Sequence, residues 1–245
     1  MMSELQERYQ DVLEKMAQAA QRVGRQPEDV TLVAVTKTWP LEVLLAAYDA
    51  GMRHFGENRP EELAAKRPAL EAELGADNGI VWHFIGTVQS RKSSLIADYA
   101  DVFHALDRMK IANRLAQQLG ENGRFLPVLL EVNVSGEGSK SGFSAVAWET
   151  DATQQAELRT VAETINNLAG LQLGGLMTMA PWDAPEAEIR QVFRRTRELA
   201  QWLETAVPGT NLAQLSMGMT DDYQIAIEEG ATHVRVGRAL FGSRY

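Results

Sequence analysis

The sequence predicts a (β/α)8 barrel with one extra helix ahead of its first strand. Two observations carry this. Eight short runs rich in Val, Ile, Leu and Phe alternate with stretches of helical periodicity. The 245 residues also show no linker, low-complexity tract or shift in composition, so the alternation belongs to one domain spanning 1–245. A doubly wound sheet is the alternative arrangement of the same elements.

Leu5, Tyr9, Val12, Leu13, Met16 and Val23 recur at helical spacing and Gly24 follows, which gives an amphipathic first helix with a glycine stop. The run VTLVAV at 30–35 is almost wholly apolar and β-branched, as suits a strand covered on both faces in a parallel sheet. Further strands are expected at 52–55, 80–85, 102–104, 125–134, 171–177, 213–216 and 233–236. Helical patterns fill the gaps at 41–50, 60–74, 89–99, 108–119, 153–168, 185–206 and 221–229.

Composition limits the chemistry. The chain has 45% apolar residues, enough for a large core, and no Cys, which removes disulfides, thiolate metal sites and cysteine nucleophiles. A nucleophile must then be Lys, Ser, Thr, Asp, Glu, His or Tyr. The net charge of −9, from 33 acidic and 24 basic residues, opposes a nucleic-acid partner, which needs a basic face. No run approaches the roughly 18 apolar residues of a membrane span, and the charged, helical N-terminus is unlike a signal peptide. A cytoplasmic monomer with no membrane partner is expected.

Barrel chemistry sits where strands run out into βα loops. Those ends carry Lys37, Asn58, His83, His104, Asn133, Thr178, Ser216 and Arg235, so polar groups collect on one rim. By parity Lys37 shares a face with Val33 and Val35. Either it snorkels to water from the strand end, or partial burial lowers its pKa and makes it a nucleophile towards aldehydes. Two stretches suit a phosphate: Ser216-Met217-Gly218-Met219 after the seventh strand and Val236-Gly237-Arg238 after the eighth. Asp221 and Asp222 suit a helix cap and first turn. The segment from Gly136 through Ser139 and Lys140 to Ser141 lacks the glycines of a nucleotide-binding P-loop. The four histidines show no metal-ligand spacing; His54 reads as half-buried, and His83 and His104 as neighbours on adjacent strands. Met177, Met179, Met217 and Met219 read as core or pocket wall. A sugar-phosphate enzyme using Lys37 on its substrate is one reading of this set.

The segments VAVTKTWP (33–40), HFGENRPEELAAK (54–66), WHFIGTVQSRK (82–92), VLLEVNVSGEGSKSGF (128–143), GLMTMAP (175–181) and LSMGMTDDYQIAIEEGATHVRVGRALFG (215–242) together resemble the pyridoxal phosphate homeostasis protein family. The resemblance spans nearly the whole chain, with its motifs in the family's order. It implies a fold similar to the barrel domain of alanine racemase, with pyridoxal 5′-phosphate (PLP) held by Lys37 as an internal aldimine. It further implies that Asn58 lines the pocket, that Ser216 and the backbone of Gly237 and Arg238 hold the phosphate with Met217 and Gly218 shaping that loop, and that Arg235 faces the pyridine nitrogen. Many relatives carry a small hydroxyl residue in place of Arg238, which leaves the contact there to the backbone amide.

A cation beside the pyridine nitrogen keeps it unprotonated, which makes the ring a weaker electron sink. The alanine racemase relatives also use a tyrosine from an added β domain, and the eighth strand is expected to end about nine residues before Tyr245, which leaves no room for that domain. The expectation is therefore a non-catalytic carrier or regulator of PLP, with amino acids or PLP-accepting apo-enzymes as further partners. A small single-domain racemase is the alternative, with Tyr223 as a candidate acid although packing is its expected role.

Overall fold

A computed structural model of the chain describes residues 3–138 and 141–242. Helix α1 (Glu4–Arg22) is opened by a reciprocal cap between Ser3 and Gln6 and buries Val12, Met16, Ala19 and Ala20. The chain then alternates: β1 (Thr31–Val35), α2 (Leu41–Asp49), β2 (His54–Glu57), α3 (Pro60–Leu74), β3 (Val81–Phe84), α4 (Ser93–Tyr99), β4 (Val102–Leu106), α5 (Met109–Asn122) and β5 (Leu126–Asn133). A two-residue strand, β6 (Phe143–Ser144), precedes α6 (Ala152–Asn166), β7 (Leu171–Met177), α7 (Glu186–Ala206), β8 (Gln214–Met219), α8 (Tyr223–Glu228), β9 (His233–Val236) and α9 (Arg238–Phe241).

All strand pairs are parallel, in the order β4-β3-β2-β1-β9-β8-β7-β5, and a β4–β5 pairing closes the ring. This is the expected eight-stranded barrel. The small β6 lies outside it, paired only to the end of β5 through Val132 and Phe143. Helix α1 packs on α8 and α9. Ser139 and Lys140, the middle of the loop weighed as a P-loop, lie outside the described residues.

Strand alternation divides the side chains. Trp82, Phe84, Phe55 and Phe103 face outwards and are fully or almost fully buried under the helices, with the Phe55–Trp82 and Phe84–Phe103 ring pairs 5.6 and 5.7 Å apart. The intervening His83, His104 and Arg235 point into the barrel.

Two boundaries differ from expectation in a way that matters for the site. The fourth strand continues past His104 to Leu106, and the strand expected to stop at Ser216 runs on to Met219. Ser and Gly signal turns in isolation, but here they build a bulge. Ser216 pairs with His233 and Met219 with Arg235, so three steps on β8 match two on β9. Gly218 makes the bulge feasible. Its φ is +93°, and a Cβ there would lie 2.5 Å from the Ala226 Cβ and 2.9 Å from the Tyr223 Cα of α8.

Gly218→Ala should therefore lower stability by about 2–4 kcal/mol through strain and overlap. Gly120→Ala, in open space on α5, should raise it by roughly 0.5–1 kcal/mol. Urea denaturation of both variants checks the pair, and equal effects would contradict this account of the bulge.

Candidate functional site

Above Arg235 the barrel opens into a cleft of about 610 Å³ at the C-terminal ends of the strands. Lys37, Asn58, Arg235, Gly237 and Arg238 all border it, so five of the eight residues singled out in the sequence are brought together.

Lys37 stands two residues beyond the end of β1, and the backbone on both sides of it is fixed. Thr36 donates its hydroxyl to Glu57 Oε1 at 2.6 Å, and Lys66 of α3 donates to the Thr36 carbonyl, Glu57 and Glu62 at 2.9, 2.8 and 2.9 Å. Thr38 takes φ +65°, rare for a β-branched residue, and its N–H donates to Glu62 at 2.6 Å. Burial raises the pKa of Glu57, while Lys66 and Thr36 act against that rise.

Arg235 forms the floor. It is 4% exposed and donates to Ser216 Oγ at 2.6 Å and to the Thr178 carbonyl at 3.0 Å. Burial pulls its pKa down to about 10, against the attraction of Asp222 and Glu131. It therefore remains a cation at neutral pH.

The phosphate assignment of Ser216 needs correction. Ser216 is fully buried inside the barrel beneath Arg235, with its hydroxyl also 2.8 Å from His104 Nδ1. Met217 is buried too, Gly218 is covered by α8, and neither borders the cleft. The extra length of β8 is the reason, for it carries Met219 and Thr220 to the rim instead. Thr220 Oγ1 lies 3.4 Å from the Gly237 nitrogen and supplies the hydroxyl there. The Arg238 side chain stays at the mouth of the cleft, paired with Asp221 and set over the exposed Trp182 ring at 5.3 Å. Nor do the aspartates cap α8 with their side chains. Asp222 accepts from the Met219 N–H at 2.5 Å and fastens the end of β8.

Lys92 pairs with Glu61, away from the cleft. Tyr223 is buried beside the charges of α1, Lys15 and Asp11, and burial raises its pKa. It does not border the cleft, so the candidate acid of the sequence reading is misplaced for that role.

Glu131 was missed. Its signal was a carboxylate inside the apolar run LPVLLEVN of β5. It borders the cleft, is 3% exposed, and its Oε2 has no hydrogen-bond partner among the described residues. Asn58 Oδ1 is likewise buried and unpartnered. Burial lifts the Glu131 carboxyl to about 7, with Asp107 adding to the rise and Arg235 opposing it.

A profile of the alanine racemase N-terminal domain family matches residues 10–245. The chain is 42% identical over 244 residues to the pyridoxal phosphate homeostasis protein of Vibrio alginolyticus, covering 99% of each. It is 41% identical over 246 residues to that of Escherichia coli strain K12, covering 99% of this chain and 98% of the other. The structure of PipY from Synechococcus elongatus PCC7942 with PLP bound superposes with a TM-score of 0.77 at 35% identity, covering 94% of this chain and all of PipY. Alanine racemase from Streptomyces coelicolor A3(2), at 18% identity and TM-score 0.68, shares the fold over 96% of this chain and 58% of its own.

The raised Glu131 pKa sets a direction for stability. As pH rises from the unfolded value of 4.5 towards about 7, the unfolded chain loses a proton that the folded one keeps, so the residue increasingly opposes folding. Glu131→Gln should be more stable than wild type by roughly 2–3 kcal/mol at pH 8, and the gap should close near pH 4.5. Urea midpoints across that range would refute this if the gap were constant.

Proposed function

The chain belongs to the pyridoxal phosphate homeostasis protein family and binds PLP, and we propose that it holds the cofactor through Lys37 and keeps it available without turning over amino acids. The observation that carries this reading is the cleft itself, with an amine at its rim and a buried guanidinium as its floor.

The residues present fit the group. The Thr220 hydroxyl, which accepts from the Gly237 N–H and keeps its own hydrogen to donate, and the Arg238 backbone lie at one side of the cleft, where a phosphate is suited. Asn58 Oδ1 and Glu131 Oε2 are buried acceptors in its wall. When bound, PLP supplies an aldehyde that joins reversibly to amines and a ring able to withdraw electrons. Lys66 and Glu57 set the backbone from which Lys37 reaches in. Arg235 presents positive charge to the ring and resists protonation of its nitrogen, which disfavours carbanion chemistry and leaves amine exchange intact.

Racemase chemistry has one observation in its favour, Glu131, a cleft carboxyl whose pKa of about 7 suits proton exchange near neutrality. Amino acids and PLP-accepting apo-enzymes are the proposed recipients. Among the described residues no helix is long and apolar enough to cross a membrane. The net charge of −9 opposes a nucleic-acid partner, and a cytoplasmic role is part of the proposal.

Lys37→Ala should abolish attachment of PLP by borohydride, and peptide mapping of the wild type should find the label on Lys37. Label on another lysine would defeat the assignment. Thr220→Ala should weaken PLP retention about tenfold, as loss of one charge-assisted hydrogen bond does, read by equilibrium dialysis. Solvent-deuterium exchange at the α-carbon of amino acids should run no faster than with free PLP. Rapid exchange that requires both Lys37 and Glu131 would establish the racemase instead.

A further inference from the structure

Beneath Arg235 the interior of the barrel is neither open nor apolar. His54 Nδ1 lies 2.9 Å from His83 Nε2, His83 Nδ1 lies 2.8 Å from His104 Nε2, and His104 Nδ1 lies 2.8 Å from Ser216 Oγ. Ser216 Oγ in turn accepts from Arg235 at 2.6 Å. Five side chains from β2, β3, β4, β8 and β9 thus form one continuous line of hydrogen bonds, ending at the floor of the cleft.

We propose that Ser216, His104 and His83 are positioning residues for Arg235, forming a hydrogen-bond ladder of fixed direction that holds the guanidinium against the cleft. The inference rests on the reading of Arg235 as a group that faces the cofactor ring.

The direction follows from donor and acceptor inventory. A guanidinium only donates, so Ser216 must accept from it. The Ser216 hydroxyl hydrogen then has one acceptor among its bonded partners, His104 Nδ1. His104 is left with its proton on Nε2, which donates to His83 Nδ1. His83 likewise donates from Nε2 to His54 Nδ1. The reverse order would leave the Ser216 hydrogen buried without an acceptor, the costly outcome for a fully buried group.

The fixed direction has an electrostatic effect. Every acceptor end in the ladder points towards Arg235, so aligned neutral dipoles solvate its charge. Among the described residues no carboxylate forms an ion pair with it, and Glu131 and Asp222 are the acids that attract it from farther away. A carboxylate in contact would cancel the positive field that the ring meets, whereas neutral dipoles leave it in place. The histidines are kept neutral. Burial holds His83 and His104 well below the usual imidazole range, helped by their neighbours, including His233, whose ring centre lies 5.9 and 5.7 Å from theirs. Burial also lowers His54. His233 is itself lowered to about 4 by burial, His54 and Arg235, and its Nδ1 lies 3.0 Å from Thr232 Oγ1, outside the ladder.

Side-chain ¹⁵N–¹H NMR of the full chain without added PLP tests the ladder directly and needs no variant. His54, His83 and His104 should each be neutral with the proton on Nε2. A proton on Nδ1 of His104 or His83, or a mixture of tautomers, overturns the proposal. With PLP bound, Ser216→Ala should mix the His104 tautomers, weaken binding about tenfold and shift the visible band of the bound cofactor, while Ser216→Thr, which keeps the hydroxyl, should restore all three. A folded Ser216→Ala protein with unchanged affinity and spectrum overturns it as well. Should Ser216→Ala fail to fold, the wild-type tautomers still decide. If they show the ladder but borohydride never attaches PLP to Lys37, the reading of the cleft fails and the ladder stands. Mixed tautomers in a protein that does trap PLP on Lys37 overturn the ladder alone.

Discussion

The structure turns on one buried charge. A guanidinium taken out of water inside a closed barrel loses hydration worth several kcal/mol, and a contacting carboxylate is the usual remedy. Arg235 is instead held by a backbone carbonyl, a hydroxyl and the histidines behind that hydroxyl. The barrel can supply these because eight short strands surround one axis and fill it with successive layers of inward side chains, each layer from alternate strands. Barrel interiors are commonly packed with branched apolar residues. Here the large aromatic residues lie outside, in the layer under the helices, and a line of polar groups shares the axis with apolar side chains such as Val33.

The surroundings of Lys37 use the opposite solution. Glu57, wholly buried, sits in direct contact with Lys66, whose side chain is 12% exposed. This pair lies behind the strand end, not in the cleft, and its hydrogen bonds go to the backbone flanking Lys37. An ion pair in that position holds a backbone in place without competing for the ligand. Two cations thus flank the same cleft, the part-buried Lys66 neutralised where it supports the chain and the buried Arg235 left without a contacting carboxylate at the floor.

Much of this was legible in the sequence. The barrel could be read because each strand is a compact apolar run bounded by polar residues, and the rim positions of Lys37, Asn58 and Gly237 because they follow such runs, with Arg235 inside the last of them. Ser216 was misread because a Ser-Met-Gly-Met stretch has the residue types of a turn. Only the pairing with His233 and Arg235 on β9 and the close approach of α8 reveal a bulged strand. The neighbourhood of His83 and His104 could be read from their adjacent strands, as the 2.8 Å contact bears out, but the links to His54 and to Ser216, 29 and 112 positions apart, follow no period that a local pattern could expose. Glu131 lay hidden because a run of apolar neighbours describes a buried strand without saying which of its residues faces a cavity.

The bulge in β8 has a match in β4, where the register to β5 also slips, between Phe103 and Leu106. Each irregularity falls at a member of the hydrogen-bonded line, beginning at Ser216 on β8 and enclosing His104 on β4. Below that level the axis is plugged, and above it the wall opens. The molecule is a cup, not a tube. Whatever enters or leaves must use the same mouth, which Trp182 and Arg238 flank. On the carrier role proposed above, an incoming and an outgoing cofactor would have to pass that one mouth in turn.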